Sequence, residues 1–173
     1  MWGRGDNADT TMTPTFDDVL AARARRCVRP YIHQTPVLTS TYFESVTGAW
    51  LFFKCENFQK AGAFKVRGAV NAVFGLDPAT ASKGVATHSS GNHALSLGYA
   101  VGRRGIPCTV VMPHSAPQAK KDAVRGYGAT IVECAPSTSS REAVLPRWSP
   151  EVGPILCIPT MIGGLLPGKE PAL

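Results

Sequence analysis

Two short segments carry side chains that could do chemistry. The first, Phe64-Lys65-Val66-Arg67-Gly68, sets a primary amine at the expected start of a helix, between the cations Lys60 and Arg67. Cationic neighbours and a helix N-terminus favour the neutral amine, the form that attacks an aldehyde. A lone lysine at a helix start is nevertheless more often simply solvated. The second segment, His88-Ser89-Ser90-Gly91-Asn92-His93, leaves a strand pattern and enters a helix pattern. It offers backbone N–H groups, hydroxyls and an amide where a helix dipole welcomes negative charge, so it can hold an oxyanion or a carboxylate. The same residue types also build an ordinary cap and tight turn. His88 and His93 lack a third ligand at a metal-binding spacing, so no metal is expected.

Regular elements must hold these segments in place. Residues 16–28 read as a helix introduced by Thr15, Asp17 and Asp18 and ended near Pro30. Ser40 can cap a brief helix stopped by Gly48. Trp50 to Cys55 reads as a buried strand because aromatic residues dominate it, and residues 64–75 read as helical. From residue 84 a regular alternation sets in: strand Gly84–Thr87, helix Asn92–Arg104, strand Cys108–Met112, helix Pro117–Tyr127, strand Thr130–Cys134, helix Ser139–Val144. Short connections in a βαβαβα order imply a parallel sheet, hence an α/β fold with three αβα layers. Ligands of such sheets bind beyond the C-terminal ends of the strands, where Ser89 to Asn92 falls.

Composition narrows the function classes. The 173 residues are 44% hydrophobic and 17% charged, without an apolar run long enough for a membrane helix, so disorder and a membrane partner are not expected. With 17 glycines and 14 prolines, a helix bundle is disfavoured. The net charge of +6 comes from dispersed basic residues, among them Arg103, Arg104, Lys120, Lys121 and Arg125, which read as solvated helix faces. No nucleic-acid partner is expected, although a mild positive field assists capture of a small anion. Cys27, Cys55, Cys108, Cys134 and Cys157 are too far apart for a CxxC pattern, and the polar N-terminus lacks the apolar stretch of a signal peptide. A reducing cytoplasm is the expected location. From Pro146 onward the chain is proline-rich, and no segment has a convincing strand or helix period.

Lys54-Cys55-Glu56-Asn57-Phe58-Gln59-Lys60-Ala61-Gly62-Ala63-Phe64-Lys65-Val66-Arg67-Gly68-Ala69, followed by Ser89-Ser90-Gly91-Asn92-His93-Ala94, resembles the serine/threonine dehydratase and serine racemase family of pyridoxal-phosphate enzymes, fold type II. The likeness runs from about Thr15 to Val144, and Thr35-Pro36-Val37-Leu38 and Ala116-Pro117-Gln118-Ala119-Lys120-Lys121 share it. His93 after Ser-Gly-Asn favours the dehydratase branch. The resemblance implies pyridoxal 5'-phosphate as cofactor and a small hydroxy amino acid as substrate. The implied activity is an L-serine/L-threonine ammonia-lyase giving a 2-oxo acid and ammonia, with serine racemase as the nearest alternative and a non-catalytic binding fragment as another. It also implies roles for residues. Lys65 would condense with the cofactor aldehyde and then act as base, with Phe64 flanking the ring. Ser90 would stand on the opposite face, and Asn92 would bond the cofactor's phenolic oxygen. Ser89, Ser90, Gly91, Asn92 and His93 would line the substrate-carboxylate loop. Such enzymes are typically homodimers.

In the same terms the chain divides into an extension (1–14), the N-terminal part of a larger cofactor domain (15–68), a smaller α/β domain (69–145) and an atypical tail (146–173). Departures from the family pattern are visible. Ala63 stands where a serine hydroxyl usually contacts phosphate, and the family's later glycine run would fall beyond residue 173. Gly163 to Lys169 spells GxxxxGK, but Glu170 follows where a phosphate loop needs Ser or Thr. Reading permissible codons for Leu156 to Leu173 one nucleotide earlier allows an Ile-Ala-Gly-Gln-Gly-Thr run that resembles the family's continuation. The expectation is therefore a tail translated out of frame and a fold incomplete at its C-terminal end.

Overall fold

In a computed structural model of the chain, the described residues are 28–144 together with positions 17, 20, 155 and 156. Of the expected helix over 16–28, Asp17 and Leu20 are helical and Val28 lies in a turn; the rest of it, like the GxxxxGK run, lies outside the described residues.

The first elements are small. After a 3-10 turn at Arg29–Tyr31 come β1 (Val37–Leu38), α1 (Thr41–Thr47) and β2 (Phe53–Lys54). β1 and β2 pair antiparallel, Val37 with Lys54 and Leu38 with Phe53. Ser40 caps α1 by accepting from the Phe43 N–H, and Gly48 ends it in the left-handed conformation, as its sequence indicates. The expectation of a buried strand over Trp50 to Cys55 is overturned. Only Phe53 and Lys54 are in a strand, and Trp50 is 85% exposed. Aromatic content signals a surface that packs well, and among the described residues no layer covers this one.

A four-stranded parallel sheet follows, in the order β5-β4-β3-β6, built from β3 (Val85–His88), β4 (Cys108–Pro113), β5 (Thr130–Cys134) and β6 (Ile155–Leu156). The helices are α2 (Lys65–Gly75), α3 (Pro78–Ser82), α4 (Asn92–Arg104), α5 (Gln118–Gly126) and α6 (Thr138–Val144). Strand alternation sorts their neighbours. Val85, Cys108, Val110 and Met112 face a core with Val66, Val70 and Val73 of α2, Leu97 and Val101 of α4 and Val124 of α5. Ala86 and Val111 face the other way, with Cys134, Val132 and Val144. Helices thus cover both faces in three αβα layers, and each fully buried valine or leucine contributes about 1.5–3 kcal/mol.

Two features depart from expectation. Ile155 and Leu156, in the stretch read as lacking any strand, pair with Val85 and Ala86 of β3. Their apolar character suffices once β3 offers an edge, although two residues are too few to show a period. Helix α3 has no counterpart among the expected elements, yet Asp77-Pro78 is a sound start signal: the Asp77 side chain accepts from the Thr80 N–H at 2.9 Å and Pro78 occupies the first turn. Val66, Ala69, Val70 and Val73 of α2 all enter the sheet core.

Candidate active site

Lys65 is the first residue of α2, preceded by Phe64, which is 50% exposed, and by buried Ala63. The chain reaches it through a tight turn at Lys60–Gly62, in which Ala61 takes φ +57°. A left-handed alanine costs on the order of 1–2 kcal/mol and persists only where its surroundings hold it. Here polar bonds do so. Gln59, 4% exposed, accepts from the backbone N–H of His33 (2.7 Å) and of Lys60 (3.0 Å) and donates to the His33 carbonyl (2.8 Å). One buried amide therefore ties residue 33 to the turn before the lysine.

A second anchor is ionic. Arg67 donates through Nε to Glu56 Oε2 (2.8 Å) and through Nη2 to Oε1 (2.7 Å), a bidentate pair. Thr35 Oγ1 donates to the same Oε1 at 2.5 Å, and Lys54 Nζ donates to the Thr35 carbonyl at 2.7 Å. The Arg67 hydrogen bond is the main reason the Glu56 carboxyl is held below its usual range, with the Thr35 bond and the Lys54 charge adding to it. This modifies the expectation of cations flanking Lys65, because the Arg67 charge is engaged by Glu56.

The Ser89–His93 loop follows β3 at its C-terminal end. The Ser89 N–H donates to the Val111 carbonyl (3.1 Å), and its hydroxyl accepts from the Gly91 N–H (3.2 Å). Gly91 is the N-cap of α4 and has no side chain to cap it, so the N-terminal end of the helix dipole, which favours an anion, follows the loop directly. Ser89, Ser90, Gly91 and His93 are half-buried, and Asn92 is exposed.

Helix packing relates the two segments. α2 and α4 lie against each other, and the Lys60–Gly62 turn also contacts α4. At the far end Arg104, the last residue of α4, donates to the carbonyls of Val73 and, at 2.6 Å, of Leu76. From that anchor back to Lys65 is about 17 Å of helix, and back to Asn92 about 18 Å. The two helices therefore run in the same direction, with Lys65 and Asn92 heading them at the same end.

Sequence reasoning missed two kinds of residue. Glu56, Gln59 and Thr35 support Lys65 through contacts more than twenty positions apart for Thr35–Glu56 and Gln59–His33, which no local pattern reveals. The lysine doublet, read as a solvated face, is split. Lys121 is buried and donates to the His114 carbonyl and to Glu133, both at 2.8 Å. Lys120 instead turns towards Gly91, where a Cβ built on that glycine would stand 3.8 Å from its Nζ. Among the described residues no group of His, Cys, Asp and Glu could hold a metal ion, and no helix is long and apolar enough to cross a membrane.

This donor set suits pyridoxal phosphate in kind: an amine for its aldehyde, an aromatic side chain and an amide for its ring, and helix N–H groups for an anion. Ala63, 7% exposed, contributes no hydroxyl.

Comparison with known proteins agrees with this composition. A family model described as pyridoxal-phosphate dependent enzyme matches residues 28–159. A beta-hydroxyaspartate dehydratase of Paracoccus denitrificans (strain Pd 1222) is 64% identical over 140 residues, covering 81% of this chain and 44% of that protein. A serine racemase of Oryza sativa subsp. indica is 49% identical over 156 residues, 90% of this chain and 45% of that protein. Among solved structures, maize serine racemase superposes with a TM-score of 0.75 at 48% identity, over 81% of this chain and 42% of that one. A threonine deaminase from T.th. gives 0.73 at 38% identity, over 84% of this chain and 45% of that one. The chain thus spans under half the length of these relatives.

Proposed function

Because the chain belongs to the pyridoxal-phosphate-dependent enzyme family, we propose that it carries the lysine and carboxylate-loop half of an ammonia-lyase. That enzyme would remove water from β-hydroxy α-amino acids of the serine and threonine type and release a 2-oxo acid and ammonia. The observation that carries this reading is the common end of α2 and α4, which heads one helix with an amine and the other with a glycine cap at a helix N-terminus. The dehydratase and deaminase among the relatives favour elimination.

When bound, the cofactor would supply a conjugated ring that absorbs negative charge developing at the substrate Cα. The chain's own residues do the rest. Lys65 Nζ would hold the cofactor aldehyde, and as an amine it would take the proton from the substrate Cα. Phe64, through its aromatic side chain, and Asn92, through its amide, would help hold the cofactor. Ser89, Gly91 and His93 line the place where the substrate carboxylate sits, and the first-turn N–H groups of α4 bind that carboxylate. The Ser90 hydroxyl would be the group that can return a proton to the substrate Cα. Loss of the β-hydroxyl as water leaves an enamine, and its hydrolysis yields the 2-oxo acid and ammonia. A reducing cytoplasm suits the free thiols of Cys55 and Cys134.

Borohydride reduction of the cofactor-treated protein, followed by peptide mapping, tests the reading. The pyridoxyl group is expected on Lys65, and its absence there overturns the assignment. Return of the Cα proton by Ser90 would give racemisation instead, a second reading favoured by the identity to serine racemases. Product analysis separates the two: a 2-oxo acid supports the lyase, and D-serine alone supports the racemase.

A further inference from the structure

The geometry points to Lys120 as the residue that receives the second carboxylate of an acidic β-hydroxy amino acid, so that the site prefers a dicarboxylic substrate. This deepens the dehydratase reading and rests on it. Lys120 lies in the first turn of α5, half-buried, with its Nζ beside the glycine that caps α4. No carboxylate among the described residues pairs with it: Glu133 is taken by Lys121, Asp122 by Gln118 and Arg125, and Glu56 by Arg67. A partly desolvated ammonium without a counter-ion is poorly satisfied, and an incoming carboxylate would relieve it with a charge-assisted bond.

The neighbouring loop already suits one carboxylate. A short diacid whose first carboxylate meets the N–H groups at the start of α4 carries its second within reach of the Gly91 side, where Lys120 waits. A substrate ending in a hydrogen or a methyl leaves the ammonium unpaired. Lys121 provides the internal contrast. It is the next residue along, yet its charge is buried and bonded within the protein, so it has none to offer a ligand.

The test follows backbone amide NMR shifts of Ser89 to Asn92 while the chain is titrated with succinate, or with butanoate, which has the same length and one carboxylate. The chain is expected to bind succinate about tenfold more tightly. Lys120→Gln should abolish that preference and leave butanoate unchanged, Lys120→Arg should keep it within about threefold, and exposed Lys83→Gln should not alter it. The proposal is overturned if the chain shows no succinate preference, if Lys120→Gln retains it, or if Lys120→Gln weakens both ligands equally, since Lys120 would then serve the first carboxylate. Failure of the dehydratase reading looks different: succinate preference would still track Lys120 while borohydride left no pyridoxyl group on Lys65.

Discussion

The layer made by α2, α4 and β3 to β5 and the segment from β1 to Phe64 are held together by different forces. In the first, Val66, Val70, Leu97, Val101, Val110 and Met112 are excluded from water and hydrogen-bonded backbone runs between them. In the second, Tyr42, Val46, Trp50 and Phe52 are each more than half exposed, and order comes from the bonds of Gln59, Glu56 and Arg67. Lys65 stands where the two meet. The difference teaches that the loop end of the site is positioned by apolar burial, whereas the approach to the lysine is positioned by a few polar contacts.

The comparison breaks if equivalent truncations cost the same in both regions. Leu97→Ala should lower stability by about 3–5 kcal/mol, against less than about 0.5 kcal/mol for Trp50→Ala, both read from urea denaturation. Equal costs would mean that Trp50 has a partner after all.

Glycines sharpen it next. Gly84 takes φ +83°, and an added Cβ would stand 2.7 Å from the Pro107 carbonyl oxygen, whereas Gly48, at φ +67°, has open space around it. Gly84→Ala should cost about 3 kcal/mol and Gly48→Ala about 1 kcal/mol, the first combining strain with collision and the second strain alone. Denaturation midpoints that rank these variants in the opposite order would contradict the packing described here.

The smallest effect concerns the ionic anchor. Glu56→Gln should cost about 1 kcal/mol at neutral pH. Because the folded carboxyl titrates below its unfolded value, this contribution is complete above the unfolded value of about 4.3 and is lost as pH falls through the lower folded value. The gap in stability between Glu56→Gln and the unaltered chain should therefore close on acidification below about pH 4. A gap independent of pH would remove Glu56 from the anchor.

Much of the molecule was legible along the chain. The alternation after residue 84, the α4 boundaries at Asn92 and Arg104, and the stop at Gly48 follow from local period and cap chemistry, which act over a few residues. The amine of Lys65 and the Ser89–His93 loop, each ordinary by itself, stood out because the two segments occur together as the family's motifs. Other features depend on partners remote in sequence. Whether Trp50 is buried, whether Ile155 finds an edge beside β3, which lysine of the doublet points inward, and that Gln59 clasps His33 are decided by which surfaces meet once the helices dock. Local chemistry dictates the elements because its interactions close within a turn; docking assigns each side chain its neighbours, and those come from everywhere else in the chain.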